Sequence, residues 1–119
     1  MKKIPFLLIY LPFFSLAFAE SNKQFICSYI YSKNVIKKAE SHSSNDKNKH
    51  CSVSCMLTLR CPATEVMAVG ALKEFKDLFD SGNAEVADLI ADRRGIIFVL
   101  NSQANTDTEC FLECDKFYY

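Results

Sequence analysis

Cys51-Ser52-Val53-Ser54-Cys55 and Cys110-Phe111-Leu112-Glu113-Cys114 are two C-x3-C segments in a chain of 119 residues that holds six cysteines. On a helix, an i, i+4 spacing sets both thiols of a pair on one face. Two such helices lying antiparallel join crosswise, Cys51 to Cys114 and Cys55 to Cys110, which leaves Cys27 for Cys61. Other connectivities fit the count, so the choice rests on this geometry. Export to an oxidising compartment favours disulfides over a structural zinc site. The cysteines therefore read as staples, and neither a metal nor another cofactor is expected.

The start of the chain supports an oxidising destination. Lys2 and Lys3 precede an uncharged run from Ile4, and Ala17-Phe18-Ala19 has A-x-A form. This is the pattern of a cleaved signal peptide over residues 1–19, and the run is too short to span a bilayer. Residues 20–119 are then one disulfide-stapled domain without a membrane span, and the destination is periplasmic or secreted. Losing Lys2 and Lys3 with the leader leaves 12 basic against 14 acidic side chains, a net charge of about −2. Residues 23–50 carry six lysines against Glu40 and Asp46, while residues 74–115 are mostly acidic. Neither block has the density of a nucleic-acid-binding face.

Hydrophobic spacing predicts an all-α bundle of four to five helices. Residues 24–39 place Phe25, Ile26, Tyr29, Ile30, Val35 and Ile36 on a helical face, although residues 25–31 are rich enough in aromatic and β-branched side chains for a strand. A polar loop leads to a helix from Asp46 to Arg60, stopped by Pro62. Residues 63–80 follow, with Met67, Leu72 and Phe75 on the expected core arc. Asn83 is the expected N-cap of a fourth helix over residues 84–94, with Gly95 as its stop. Residues 96–100 read as strand or more helix, and Thr106 to Glu109 has capping-box form for a last helix through Phe117.

The candidate acid–base group is His50, next to Cys51. In an antiparallel pair the residues preceding bonded cysteines lie on one side, so His50 is expected to face Glu113 and to turn away from Asp115. Lys73-Glu74 with Asp77 supplies further carboxylates at the edge of an apolar arc. Against a catalytic role, a histidine beside a staple and near Val53 and Leu57 is more often a packed residue, and that outcome is the expected one. No G-x-S-x-G elbow and no glycine-rich phosphate loop is present.

Four short motifs run through this region: K-H-C-x-x-S-C at residues 49–55, K-E-x-x-D at 73–77, G-N-x-E-x-x-D at 82–88 and R-G-I at 94–96. Together they resemble a small helical domain found at the ends of Rhs-type polymorphic-toxin proteins and in stand-alone secreted bacterial proteins. The resemblance implies that His50, Glu74, Asp77 and Asp88 meet in one site, and it implies a toxin-like or host-directed role. The sequence thus predicts a small exported bacterial protein acting as a binding, accessory or effector-like module on a protein partner. The alternative is a small toxin-like hydrolase using His50 with Glu74, Asp77 or Glu113. A cleft shared by His50 and two carboxylates favours the hydrolase.

Overall fold

In a computed structural model, residues 26–80 and 86–119 are described, residues 74–80 by their backbone alone. The expected signal peptide and the Asn83 cap lie outside them. Five helices make up the described chain: α1 (residues 26–42), α2 (Asp46–Arg60), α3 (Ala63–Asp80), α4 (Val86–Leu100) and α5 (Asp107–Asp115). No strand occurs among the described residues. No helix there is long and apolar enough to cross a membrane.

Buried α2 is the centre. Cys51, Cys55 and Met56 are wholly buried, and the helix packs on α3, α4 and α5. Asn45 caps its start by accepting from the N–H groups of Lys47 and Asn48. This satisfies donors that the first helical turn leaves without partners. Cys51 joins Cys114 and Cys55 joins Cys110, with Cα separations of 5.9 and 5.7 Å. The crossed pairing sets α5 antiparallel to α2. Cys27 joins Cys61 and ties α1 to the α2–α3 turn.

Two apolar faces are not where hydrophobic spacing put them. On α1 the inward stripe is Ser28, Ser32, Val35 and Ala39, mostly small side chains that allow close approach to the bundle. Ile26 and Ile30 point outward, as does Tyr29, which is 82 % exposed. Among the described side chains of α3, Glu65 and Val66 are buried, whereas Met67 and Leu72 are at least half exposed. Over residues 63–73 the inward face lies about one residue back from the expected arc. It follows Val66, Val69, Gly70 and Lys73, which line a cleft against α1 and α2. Phe75 belongs to the stretch described by backbone only.

Gly95 is not a stop. It sits in the middle of α4, fully helical, and α4 continues to Leu100. A Cβ built there would lie 2.2 Å from the carbonyl oxygen of Cys51 and 2.9 Å from the amide nitrogen of Cys55. Glycine is therefore required by contact between two backbones. The actual stop is Ser102, at φ 58°, beyond which the N–H groups of Gln103 and Ala104 both donate to the Phe98 carbonyl. A serine rarely adopts this left-handed conformation, so composition does not mark it. Thr106 caps α5 by accepting from the Glu109 N–H, and the helix ends at Asp115, two residues before Phe117.

An ion pair closes the far end of the α2–α5 pair. Arg60 donates from both terminal nitrogens to Asp107, at 2.9 and 2.7 Å, and Lys38 of α1 donates to the same carboxylate. The Arg60 bonds hold the Asp107 carboxyl down at about 2; burial opposes this and Lys38 adds to it. Because the folded value lies below the ordinary 3.8, the associated stability is complete above pH 4 and is lost as pH falls toward 2. We expect Asp107→Asn to cost about 1 kcal/mol at neutral pH, a figure reduced for the partial exposure of the partners. In acid denaturation curves the two proteins should converge between pH 4 and pH 2; a constant difference across that range would contradict the assignment.

Candidate functional site

The polar end of the bundle is built from two i, i+4 series. On α2, Asp46, His50 and Ser54 share a face; on α4, Asp88 and Asp92 share another. Asp88 meets the start of α2, Asp92 meets His50 and Ser54, and Gly95 meets Cys51 and Cys55. Contacts advance in the same order along both helices, so α4 runs parallel to α2. The backbone contact at Gly95 thus brings the two polar series within bonding distance.

His50 Nδ1 lies 3.1 Å from Oδ1 of Asp92, which also accepts from Ser54 Oγ at 3.0 Å. Asp92 is itself 7 % exposed. Gly70 of α3 makes room for it, since a Cβ there would lie 2.7 Å from Asp92 Oδ2. The other ring nitrogen, Nε2, is 3.5 Å from Asp88 Oδ2 and 3.8 Å from Asp46 Oδ2. Lys47 donates to the second oxygen of Asp88, Oδ1.

The Asp92 hydrogen bond raises the His50 pKa above its ordinary value; burial opposes this, the charges of Asp92 and Asp88 add to it, and Lys73 subtracts. For Asp88, burial acts to raise the value, but the Lys47 hydrogen bond and the charges of His50, Lys47 and Lys73 prevail and leave it lowered. The cluster is therefore electrostatically coupled across α2, α3 and α4.

A cleft of about 280 Å³ opens beside this cluster. Its apolar walls come from Ile36 and Ala39 of α1, Val53 and Leu57 of α2, and Val66 and Val69 of α3. Asp46, His50 and Asp92 line its polar end, with Lys49 and Lys73. Apolar walls with a few convergent polar groups are the usual form of a small-molecule site.

The expected residues separate clearly. His50 does lie beside Val53 and Leu57, but its partners are Asp92, Asp88 and Asp46. Glu113 instead accepts from Lys116, the residue that caps the end of α5. The pairing of His50 with Glu113 is thus corrected, because α4 rather than α5 covers that side of α2. Asp115 does turn away, binding His42 and Asn48. Of the four residues tied to the polymorphic-toxin likeness, His50 and Asp88 are neighbours, while the side chains of Glu74 and Asp77 lie outside the described residues.

Asp46 and Asp92 are the residues that reading the sequence missed. The available signal was a D-x3-H on α2 together with a D-x3-D on α4, two acidic i, i+4 series that gain meaning only when the helices are docked. Comparison with protein-family models, curated proteins and solved structures gave no match.

Proposed function

We propose that this chain is a small exported, effector-like hydrolase whose chemistry centres on Nε2 of His50. One observation carries the reading: His50, held at Nδ1 by a buried Asp92, shares a single cleft with Asp46 and Asp92. A carboxylate on Nδ1 fixes the tautomer and the ring orientation, leaving Nε2 as the nitrogen that acts on a water. In the hydrolysis, the water oxygen bonds to the acyl or phosphoryl centre and the leaving group departs with a proton. Val53, Leu57 and Val66 receive an apolar part of the substrate. The three disulfides are compatible with an oxidising compartment, and the leader-like residues 1–19 support a periplasmic or secreted destination.

The competing reading is a binding or accessory module for a protein partner. It is favoured by the exposed Ile26, Tyr29 and Ile30 on α1, an apolar patch away from the core. His50→Gln separates the two. On a panel of fluorogenic esters, amides and phosphodiesters, we expect the substitution to lower turnover by about 10²–10⁴-fold, the usual worth of a positioned acid–base group. Absence of turnover by the unaltered protein, or full turnover by the variant, removes the hydrolase and leaves the binding module.

A further inference from the structure

His50 Nε2 makes no hydrogen bond among the described residues, although two carboxylates stand in front of it. Asp88 has a side chain only 9 % exposed, and uses Oδ1 for Lys47. Its Oδ2 faces Nε2 and accepts no hydrogen bond among the described residues. A buried carboxylate oxygen and an imidazole nitrogen thus stand 3.5 Å apart as an ion pair, with no hydrogen bond between them. Asp46 Oδ2 borders the space between them on its exposed side.

We infer that this space is a divalent-cation site, with His50 Nε2, Asp88 and Asp46 as ligands. The three ligand atoms lie within 4.8 Å of one another. Metal bonds of about 2.0–2.2 Å set tetrahedral ligands roughly 3.4 Å apart, close to the 3.5 and 3.8 Å separations from Nε2. Only Asp46 has to close in, and it is an exposed residue in the first turn of α2.

The support behind the ligands matches what such sites need. Asp92 on Nδ1 is the outer carboxylate that orients a metal-binding imidazole and increases its basicity. Ser54 and Gly70 in turn hold Asp92 in place. One nitrogen with two carboxylates suits a first-row ion such as Zn²⁺ or Mn²⁺ better than Ca²⁺, which takes oxygen ligands alone. Lys47 already places positive charge against both carboxylates, at Asp88 Oδ1 and 3.5 Å from Asp46 Oδ2. A bound cation takes over that charge at Asp46 and leaves the Asp88 Oδ1 bond intact. All six cysteines are in disulfides and take no part.

Within the hydrolase reading, on which this step rests, Nε2 then holds the metal instead of the proton, because a bound cation lowers the pKa of a coordinated water and makes it a nucleophile. Binding itself does not depend on that reading. The test is titration of the disulfide-bonded, chelator-treated protein with Zn²⁺ and Mn²⁺, followed by calorimetry and by Mn²⁺ paramagnetic resonance. We expect one ion per chain and a rise in melting temperature. Asp46→Asn should weaken affinity at least tenfold while leaving the melting of the metal-free protein unchanged, and Asp92→Asn should weaken it about 10–100-fold.

No stoichiometric binding, or equal affinity in Asp46→Asn, Asp88→Asn and His50→Gln, overturns the site. Stoichiometric binding without turnover of any substrate keeps the cation site and removes the hydrolase. Turnover that persists in excess chelator removes the cation from the chemistry and leaves His50 acting on water directly, while the titration alone decides whether the site exists.

Discussion

Gly95→Ala is expected to destabilise the protein by about 2 kcal/mol or more, opposite in sign to the usual effect of that change inside a helix. In an unobstructed helix interior, alanine is favoured over glycine by about 1 kcal/mol. Here the new methyl meets the Cys51 carbonyl oxygen at 2.2 Å and the Cys55 nitrogen at 2.9 Å. Both obstacles are backbone, so no rotamer change relieves them. Overpacking of this kind costs about 1–3 kcal/mol, and more when the neighbours are held in place. Disulfides at both Cys51 and Cys55 tie this stretch of α2 to α5, which limits its freedom to move aside. For a domain near 100 residues the loss should lower the melting temperature by roughly 10 °C. Thermal unfolding followed by circular dichroism checks it, and an increase in melting temperature would refute the close approach of α2 and α4.

The largest expected effect is loss of both bridges between α2 and α5. Cys51–Cys114 spans a sequence separation of 63, and closing a loop of that length is worth about 4 kcal/mol in the chain-entropy model. Cys55–Cys110 is nested inside it, so with the first bridge formed it closes only a short ring and adds roughly 2–3 kcal/mol. Removing either pair alone by alanine should therefore cost about 2–3 kcal/mol, because the remaining bridge still closes the long loop. Removing both should cost about 6–7 kcal/mol, more than twice the single loss and close to the whole stability of a small domain. Urea unfolding of the three variants measures this directly. Strict additivity would show that the bridges act independently of each other, against the nested arrangement.

The candidate site was legible in part. Its histidine was identified because His50 borders a cysteine whose direction on the helix is known. Its partners were misjudged because helix–helix docking decides which element lies over that nitrogen. The two-fold relation of α2 and α5 correctly turns Asp115 away from His50. It cannot report that α4 wedges beside α2 and brings Asp88 and Asp92 to the ring. Asp92 and Asp46 went unmarked for the same reason: an i, i+4 series of carboxylates has no distinguishing local signal.

Local chemistry determined the helices, the C-x3-C geometry, the cap at Thr106 and the stop at Pro62, since each depends on neighbours within about one turn. The antiparallel direction of α2 and α5 was the premise of the crossed pairing, and the Cys51–Cys114 and Cys55–Cys110 bridges of the folded chain bear it out. Tertiary packing decided the rest. It rotated the buried faces of α1 and α3, where small side chains such as Ser28 and Ala39 pack inward and large ones such as Tyr29 and Leu72 remain outside. It also turned Gly95 from an apparent stop into the contact that sets α4 on α2. Hydrophobic spacing measures the greasiness of a face, whereas close approach of backbones depends on how little a face protrudes. That difference is why the fold class could be read from the chain, and why the group of His50, Asp46, Asp88 and Asp92 required the folded molecule.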